Sequence, residues 1–267
     1  MKKIDLEESK ALQVSILEHV HNYCKDNNLR YALAYGALIG AVRHGGFIPW
    51  DDDIDLIMPR DDYEFFLKNY HDESGRYKVH SLNNDSKHIL PFAKVEDSKT
   101  MLIEKSSNNN YLGISIDVLP VDFMGVDLDS SRMIVKSLRW LKRLYKGKLV
   151  KPNKRNSLFK KIGIIGVKFI GLPFSLRFLA TLIDKKCSSI GKPDAQYMGC
   201  LCWGYEEREI MPQCFFNEFT TIKFEGREFC TIKEWDVYLS NLYGKYMELP
   251  PENKRYSPHE IINIYWR

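Results

Sequence analysis

The sequence predicts an α+β protein, a mixed sheet covered by helices and interrupted by a basic helical insertion. Three observations point there. The first 120 or so residues alternate helix-period segments with short apolar runs of strand length. From Ser130 to Ile183 there is no Asp or Glu, but there are fourteen Lys and Arg. At the start of one strand-like run, four carboxylates occupy five positions, Asp51, Asp52, Asp53 and Asp55.

The elements follow in order. Leu6 to Lys25 carries Leu12, Leu17, Val20 and Cys24 near one face and reads as a helix, closed by Asn27-Asn28. Arg30 to Tyr35 reads as a strand that Gly36 breaks, and Ala37 to Arg43 as one or two helical turns. Ile54 to Met58 is a strand ended by Pro59, and Arg60 to Tyr70 a helix. Tyr77 to Leu82, Ile89 to Glu96, Thr100 to Glu104 and Ile114 to Leu119 read as further strands, with Asp122 a turn residue beyond Pro120. Ser131 to Tyr145 is a helix, Lys146 to Asn156 a basic loop holding Pro152, and a second helical region runs to about Ser189. Phe219 to Phe224 and Arg227 to Thr231 flank Glu225-Gly226 as a hairpin, and Lys233 to Tyr243 is the last helix. The expected division is a catalytic core over 1–125, the basic insertion over 126–192, and a C-terminal completion of the core over 193–267.

Charge sharpens this division. The formal net charge is +4, yet with fourteen cations in the insertion the remainder holds 25 basic against 35 acidic residues. At 44% hydrophobic and 28% charged residues the chain is not disordered. Its six cysteines form no disulfide-scaffold spacing. Cys200, Cys202, Cys214 and Cys230 are weighed as a zinc set, but no CxxC spacing or intervening His supports it, so buried thiols are the better reading. The N-terminal Met1-Lys2-Lys3-Ile4-Asp5 predicts no signal peptide, and Ile162 to Leu182 is interrupted by Lys168 and Arg177, which argues against a membrane span. A cytoplasmic protein is expected.

The acidic run carries the chemistry. Strand alternation sends Asp53 and Asp55 to one side and Ile54 and Leu56 to the core. Clustered carboxylates raise one another's pKa unless a cation sits among them, and hard oxygen donors suit Mg²⁺. Asp117, an acid within the apolar Ile116–Leu119 run, is the third member of the set. Gly36 precedes the cluster at a strand-to-helix turn, either letting a phosphate approach the backbone or simply ending the strand. Strand, glycine, short helix and then Asp-x-Asp on the next strand is the layout of the nucleotidyltransferase (polymerase-β-like) fold.

Tyr35-Gly36-Ala37-Leu38-Ile39-Gly40-Ala41-Val42-Arg43-His44-Gly45-Gly46-Phe47-Ile48-Pro49-Trp50-Asp51-Asp52-Asp53-Ile54-Asp55, followed by Met58-Pro59-Arg60-Asp61-Asp62-Tyr63, resembles the hallmark stretch of the LicD family. Phe92-Ala93-Lys94-Val95, Ile116 to Asp122, and Leu242 to Met247 with Arg255 and His259 extend the resemblance over most of the chain, most weakly across the basic insertion. The family often has a hydroxyl-bearing residue where Ala37 stands. The resemblance implies a Mg²⁺-dependent transfer of phosphocholine from CDP-choline to a sugar hydroxyl of a lipid-linked teichoic acid or polysaccharide precursor, with CMP released. It also connects the chain to fukutin-type enzymes.

On that reading Asp53 and Asp55 hold the metal, and Asp117 either joins them or takes the hydroxyl proton. One of Asp51 and Asp52 binds a second metal while the other caps a turn. Arg43 pairs with a phosphate or with the Asp run, and Lys94 contacts a phosphate or snorkels. Trp50 is the leading aromatic for the quaternary ammonium, ahead of Tyr35, Trp203 and Tyr205. His259 and Arg255 reach the site or lock the C-terminus. The basic insertion is a solvated face or a site for an anionic acceptor and membrane surface, peripheral to the inner leaflet. No nucleic-acid-binding module is present. The competing readings are a polyol-phosphate or nucleotidyl transferase on the same scaffold and a non-catalytic glycan- or membrane-binding module.

Overall fold

The computed structural model describes residues 1–104, 112–149, 173–256 and 261–267. Helix α1 (Leu6–Asp26) opens on Asp5, whose carboxylate accepts from the Glu8 N–H at 2.8 Å. It buries Leu12, Ile16, Leu17, Val20 and Cys24 against the central sheet.

That sheet runs β2 (Ala32–Leu33), β3 (Asp55–Pro59), β7 (Ser115–Phe123), β5 (Ala93–Asp97), β4 (Tyr77–His80). β8 (Tyr197–Gly199) pairs with the far end of β7, and β9 (Met211–Pro212) pairs with β8. β3 and β7 are parallel and the other pairings antiparallel, so the sheet is mixed. Six α-helices lie among the described residues: α1, α2 (Tyr35–His44), α3 (Arg60–Asn69), α4 (Leu128–Leu149), α5 (Leu176–Ile190) and α6 (Trp235–Tyr243). A small second sheet joins β1 (Lys3–Ile4), β12 (Ile261–Trp266) and β6 (Thr100–Glu104), and β10 (Phe219–Phe224) pairs with β11 (Arg227–Ile232) as the expected hairpin.

Several boundaries differ from the sequence reading for physical reasons. β2 is only two residues long, and α2 begins at Tyr35, so Gly36 lies in the first turn of a helix rather than ending a strand. β7 passes through Pro120 to Phe123, because the lost N–H is tolerated where β8 takes over pairing at Asp122 and Phe123. Asp122 is therefore a buried strand residue and not a turn residue. It accepts two bonds from Arg60, at 2.6 and 3.1 Å. α4 extends to Leu149, beyond the expected start of a loop at Lys146, and the rest of that loop lies outside the described residues.

The basic insertion spends much of its charge internally. Lys142 is buried and donates to the carbonyls of Leu201 (2.9 Å) and Trp203 (2.6 Å), and the Lys146 ammonium lies 4.6 Å from the Trp203 ring centre. Arg139 pairs with Glu206 and Glu207, and Arg177 donates to the carbonyls of Leu82, Asp85 and His88. Asp184 of α5 meets Arg60 of α3 at 2.9 Å. These bonds seat α4 and α5 on the core.

Candidate active site

The parallel pairing of β3 and β7 sets Asp55 directly beside Asp117, and the antiparallel pairing of β7 and β5 sets Asp117 beside Lys94. Adjacent strands are about 4.8 Å apart, so three charged side chains stand in one row across the sheet. Lys94 donates to the Asp117 carboxylate. Ile54 and Leu56 are fully buried while Asp53 and Asp55 are half-buried, which is the alternation expected for a strand with one wet side.

β3 itself starts at Asp55, so Asp51 to Asp53 sit in the loop leading into it. Oxygens from Asp51, Asp52 and Asp53 lie within 4.8 Å of one another, the one cluster of this kind among the described residues. Burial, then the neighbouring charges of Asp53 and Asp117, push the Asp55 carboxyl well above the ordinary carboxylate range, against the pull of Lys94.

Gly36 touches this cluster. A Cβ there would stand 2.5 Å from Asp51 Oδ2, so the absence of a side chain lets the first turn of α2 meet the acidic loop. Tyr35 holds φ at +48°, a conformation rare outside glycine. Its hydroxyl donates to Glu209 Oε1 at 3.2 Å, and the Tyr205 N–H donates to the same oxygen at 2.8 Å. Tyr35 and Tyr205 have ring centres 6.0 Å apart, Tyr205 and Tyr243 5.1 Å, and Tyr35 and Tyr238 6.2 Å. Burial raises the Tyr205 hydroxyl, and the charges of Glu209, Asp55 and Asp53 add to the rise.

The remaining candidates sit elsewhere or serve other bonds. Arg43 donates to the carbonyls of Tyr246 (2.7 Å) and Glu248 (3.4 Å). Trp50 has the Arg255 guanidinium 5.7 Å from its ring centre and His44 at its edge, while Arg255 also donates to the Pro250 carbonyl. Trp203 packs against Phe92, Tyr145 and Lys146. His259 lies outside the described residues. Cys200 and Cys202 approach to 3.9 Å, but the four cysteines weighed as a zinc set do not gather among the described residues.

Glu209 and Tyr243 escaped the sequence reading. Glu209 closes an exposed-looking Glu-Glu-Arg-Glu run, and nothing local distinguishes it from its neighbours, yet it is only 2% exposed. Burial raises its carboxyl from the usual 4.5 to about 8, with the nearby Cys200 adding to the rise. A carboxyl raised on folding stabilises fully below its unfolded pKa and loses that contribution as pH rises to the folded value. Glu209→Gln is therefore expected to flatten the fall in melting temperature between roughly pH 4.5 and 8, measured by thermal scans across that range.

The half-buried row of carboxylates and a lysine, with the clustered aspartates in the loop before it, is the candidate site. The chain belongs to the LicD family. Residues 28–146 match the family model described as LicD/FKTN/FKRP, nucleotidyltransferase domain. Along 272 aligned positions, 99% of either chain, it is 30% identical to the lipopolysaccharide cholinephosphotransferase LicD of Haemophilus influenzae. A shorter stretch of 67 residues, 24% of this chain and 22% of the relative, is 40% identical to an uncharacterized protein of Rickettsia typhi.

Proposed function

We propose that the protein is a Mg²⁺-dependent transferase that moves phosphocholine from CDP-choline to a sugar hydroxyl of a lipid-linked surface glycan precursor, working at the inner face of the membrane. The observation that carries the reading is the Asp55–Asp117–Lys94 row beside the Asp51–Asp53 cluster, in a chain related end to end to a cholinephosphotransferase.

The donor set suits magnesium. It is all carboxylate oxygen, and burial, with the charges of Asp53 and Asp117 adding to it, raises the Asp55 carboxyl. Asp53 and Asp55 would hold the ion, with Asp51 or Asp52 available to a second one. When bound, the ion offsets charge on the diphosphate as transfer proceeds.

The chain's own groups do the rest. The acceptor oxygen forms its bond to the phosphorus that carries choline, the bond from that phosphorus to the oxygen shared with the other phosphate breaks, and CMP leaves with the electron pair. Asp117 takes the hydroxyl proton, and Lys94, bonded to Asp117, holds its carboxylate in place. Tyr205 and Tyr243 offer ring faces to the trimethylammonium, with the Glu209 carboxyl behind them. They replace Trp50 in this role, because Arg255 already occupies its neighbourhood and repels a second cation.

The test is incubation of the full chain with doubly labelled CDP-choline and a lipid-linked acceptor. The expected result is CMP release, choline label on the acceptor, and complete loss after chelation of divalent ions. Tyr205→Ala is expected to raise the KM for CDP-choline about tenfold with little change in kcat. Cytidine label on the acceptor would overturn the site of attack. Equal use of CDP-ribitol would favour the polyol-phosphate reading.

A further inference from the structure

We propose that α4 and α5 form a docking face for an anionic lipid bilayer, with Met133, Trp140, Phe178 and Leu182 entering the interface and Arg132, Lys136, Arg143 and Lys185 meeting the headgroups. The inference rests on the functional reading for its lipid-linked acceptor.

α4 turns Ser131, Val135, Leu138, Lys142 and Tyr145 inward. The opposite stripe, Arg132, Met133, Lys136, Trp140 and Arg143, is exposed at helical spacing. Trp140 is 63% and Met133 65% exposed. On α5, Leu179, Ile183 and Cys187 face the core, while Phe178, Leu182 and Lys185 are exposed, and Phe174 stacks on Phe178 with ring centres 5.5 Å apart.

Single exposed apolar residues are ordinary, so their distribution decides. Of the fifteen large apolar side chains exposed among the described residues, seven fall between Val126 and Leu182. That span lacks any acid from Ser130 to Ile183. Of the acids that border the face, Asp129 pairs with Arg132, Glu206 and Glu207 pair with Arg139, and Asp184 pairs with Arg60.

Apolar anchors interleaved with cations, whose bordering acids are already paired, complement an anionic bilayer. The aromatic ring sits at headgroup depth while Lys and Arg reach lipid phosphates. No helix among the described residues is long and apolar enough to cross a membrane, which makes this a surface attachment. The face is also coupled to the candidate active site. Arg139 of α4 binds Glu206 and Glu207, and the short turn they begin ends at Glu209, which accepts from Tyr35 and Tyr205.

The experiment is flotation of the full chain with vesicles of phosphatidylcholine alone or with roughly a quarter phosphatidylglycerol. Binding is expected on the anionic vesicles and weak on the neutral ones. Trp140→Ala/Phe178→Ala and Arg132→Gln/Lys136→Gln/Arg143→Gln are each expected to lower partitioning about tenfold with an unchanged melting temperature, since all these side chains are exposed. Brominated lipid is expected to quench tryptophan emission in the wild type, and less in Trp140→Phe.

Absence of vesicle binding, or full binding by both variants, overturns the proposal. So does a concentration-dependent dimer that Trp140→Ala dissolves, because a second copy would then own the face. Transfer to a short soluble acceptor separates the two readings. Transfer without vesicle binding sinks only the docking face, and vesicle binding without transfer sinks only the enzymatic assignment.

Discussion

Asp55→Asn is expected to lower phosphocholine transfer by about 10³-fold or more while leaving the melting temperature unchanged or slightly higher. The substitution keeps the shape of the side chain and removes one negative charge. In the wild type that charge is half-buried and faces Asp53, Asp117 and Asp51, with Lys94 the opposing cation. Such concentration of like charge destabilises the protein and persists where function requires it. Asn removes a group that burial and neighbouring charge make costly to ionise, and with it a carboxylate of the proposed ion site. The combined readout, activity lost with stability kept, separates a functional carboxylate from a structural one. Steady-state transfer assays beside thermal unfolding check it, and near-normal turnover would sink the metal assignment. Asp117→Asn is expected to lose activity too, by about 10²–10⁴-fold if its main task is proton transfer.

Arg60→Met has the opposite signature, a loss of folding stability of about 3–5 kcal/mol. Arg60 lies at the start of α3, buried, with both Asp122 oxygens at 2.6 and 3.1 Å, Asp184 at 2.9 Å and Glu64 at 3.1 Å. Burial raises the Asp122 carboxyl's pKa, and Arg60 is the charge that holds it down. Without the guanidinium a carboxylate is left in the interior with no opposite charge. For a chain of this size the melting temperature is expected to fall by roughly 6–20 °C. Arg60→Met/Asp122→Leu is expected to recover most of it, because the unpaired charge goes with its partner. If the double variant were no more stable than the single one, the loss would come from packing around α3 rather than from the stranded charge.

These two residues show where sequence reading reached and where it stopped. Asp53, Asp55 and Asp117 stood out because carboxylates amid Ile and Val are improbable without a task, and that contrast is local. Arg60 was visible within the family stretch, but its partner Asp122 looked like a turn residue because Pro120 appeared to end the strand. The pairing of β7 with β3 through Val121, and then with β8 at Asp122 and Phe123, carries the strand past that proline. Lys142 and Arg177 counted as surface charge in the composition. In the fold they donate to the backbone carbonyls of Leu201, Trp203, Leu82, Asp85 and His88.

The sequence alone settled what depends on neighbours along the chain. Helix and strand periods, the hairpin at Glu225-Gly226, the acid-free stretch and the family motifs were all legible, because each is set by residues a few positions apart. Tertiary structure decided which side chains meet. Strand register put Asp55, Asp117 and Lys94 in one row, burial raised the Glu209 carboxyl, and Arg255 came to lie beside Trp50. Register and burial belong to the assembled sheet, whose partners are far apart in sequence, so no local pattern encodes them.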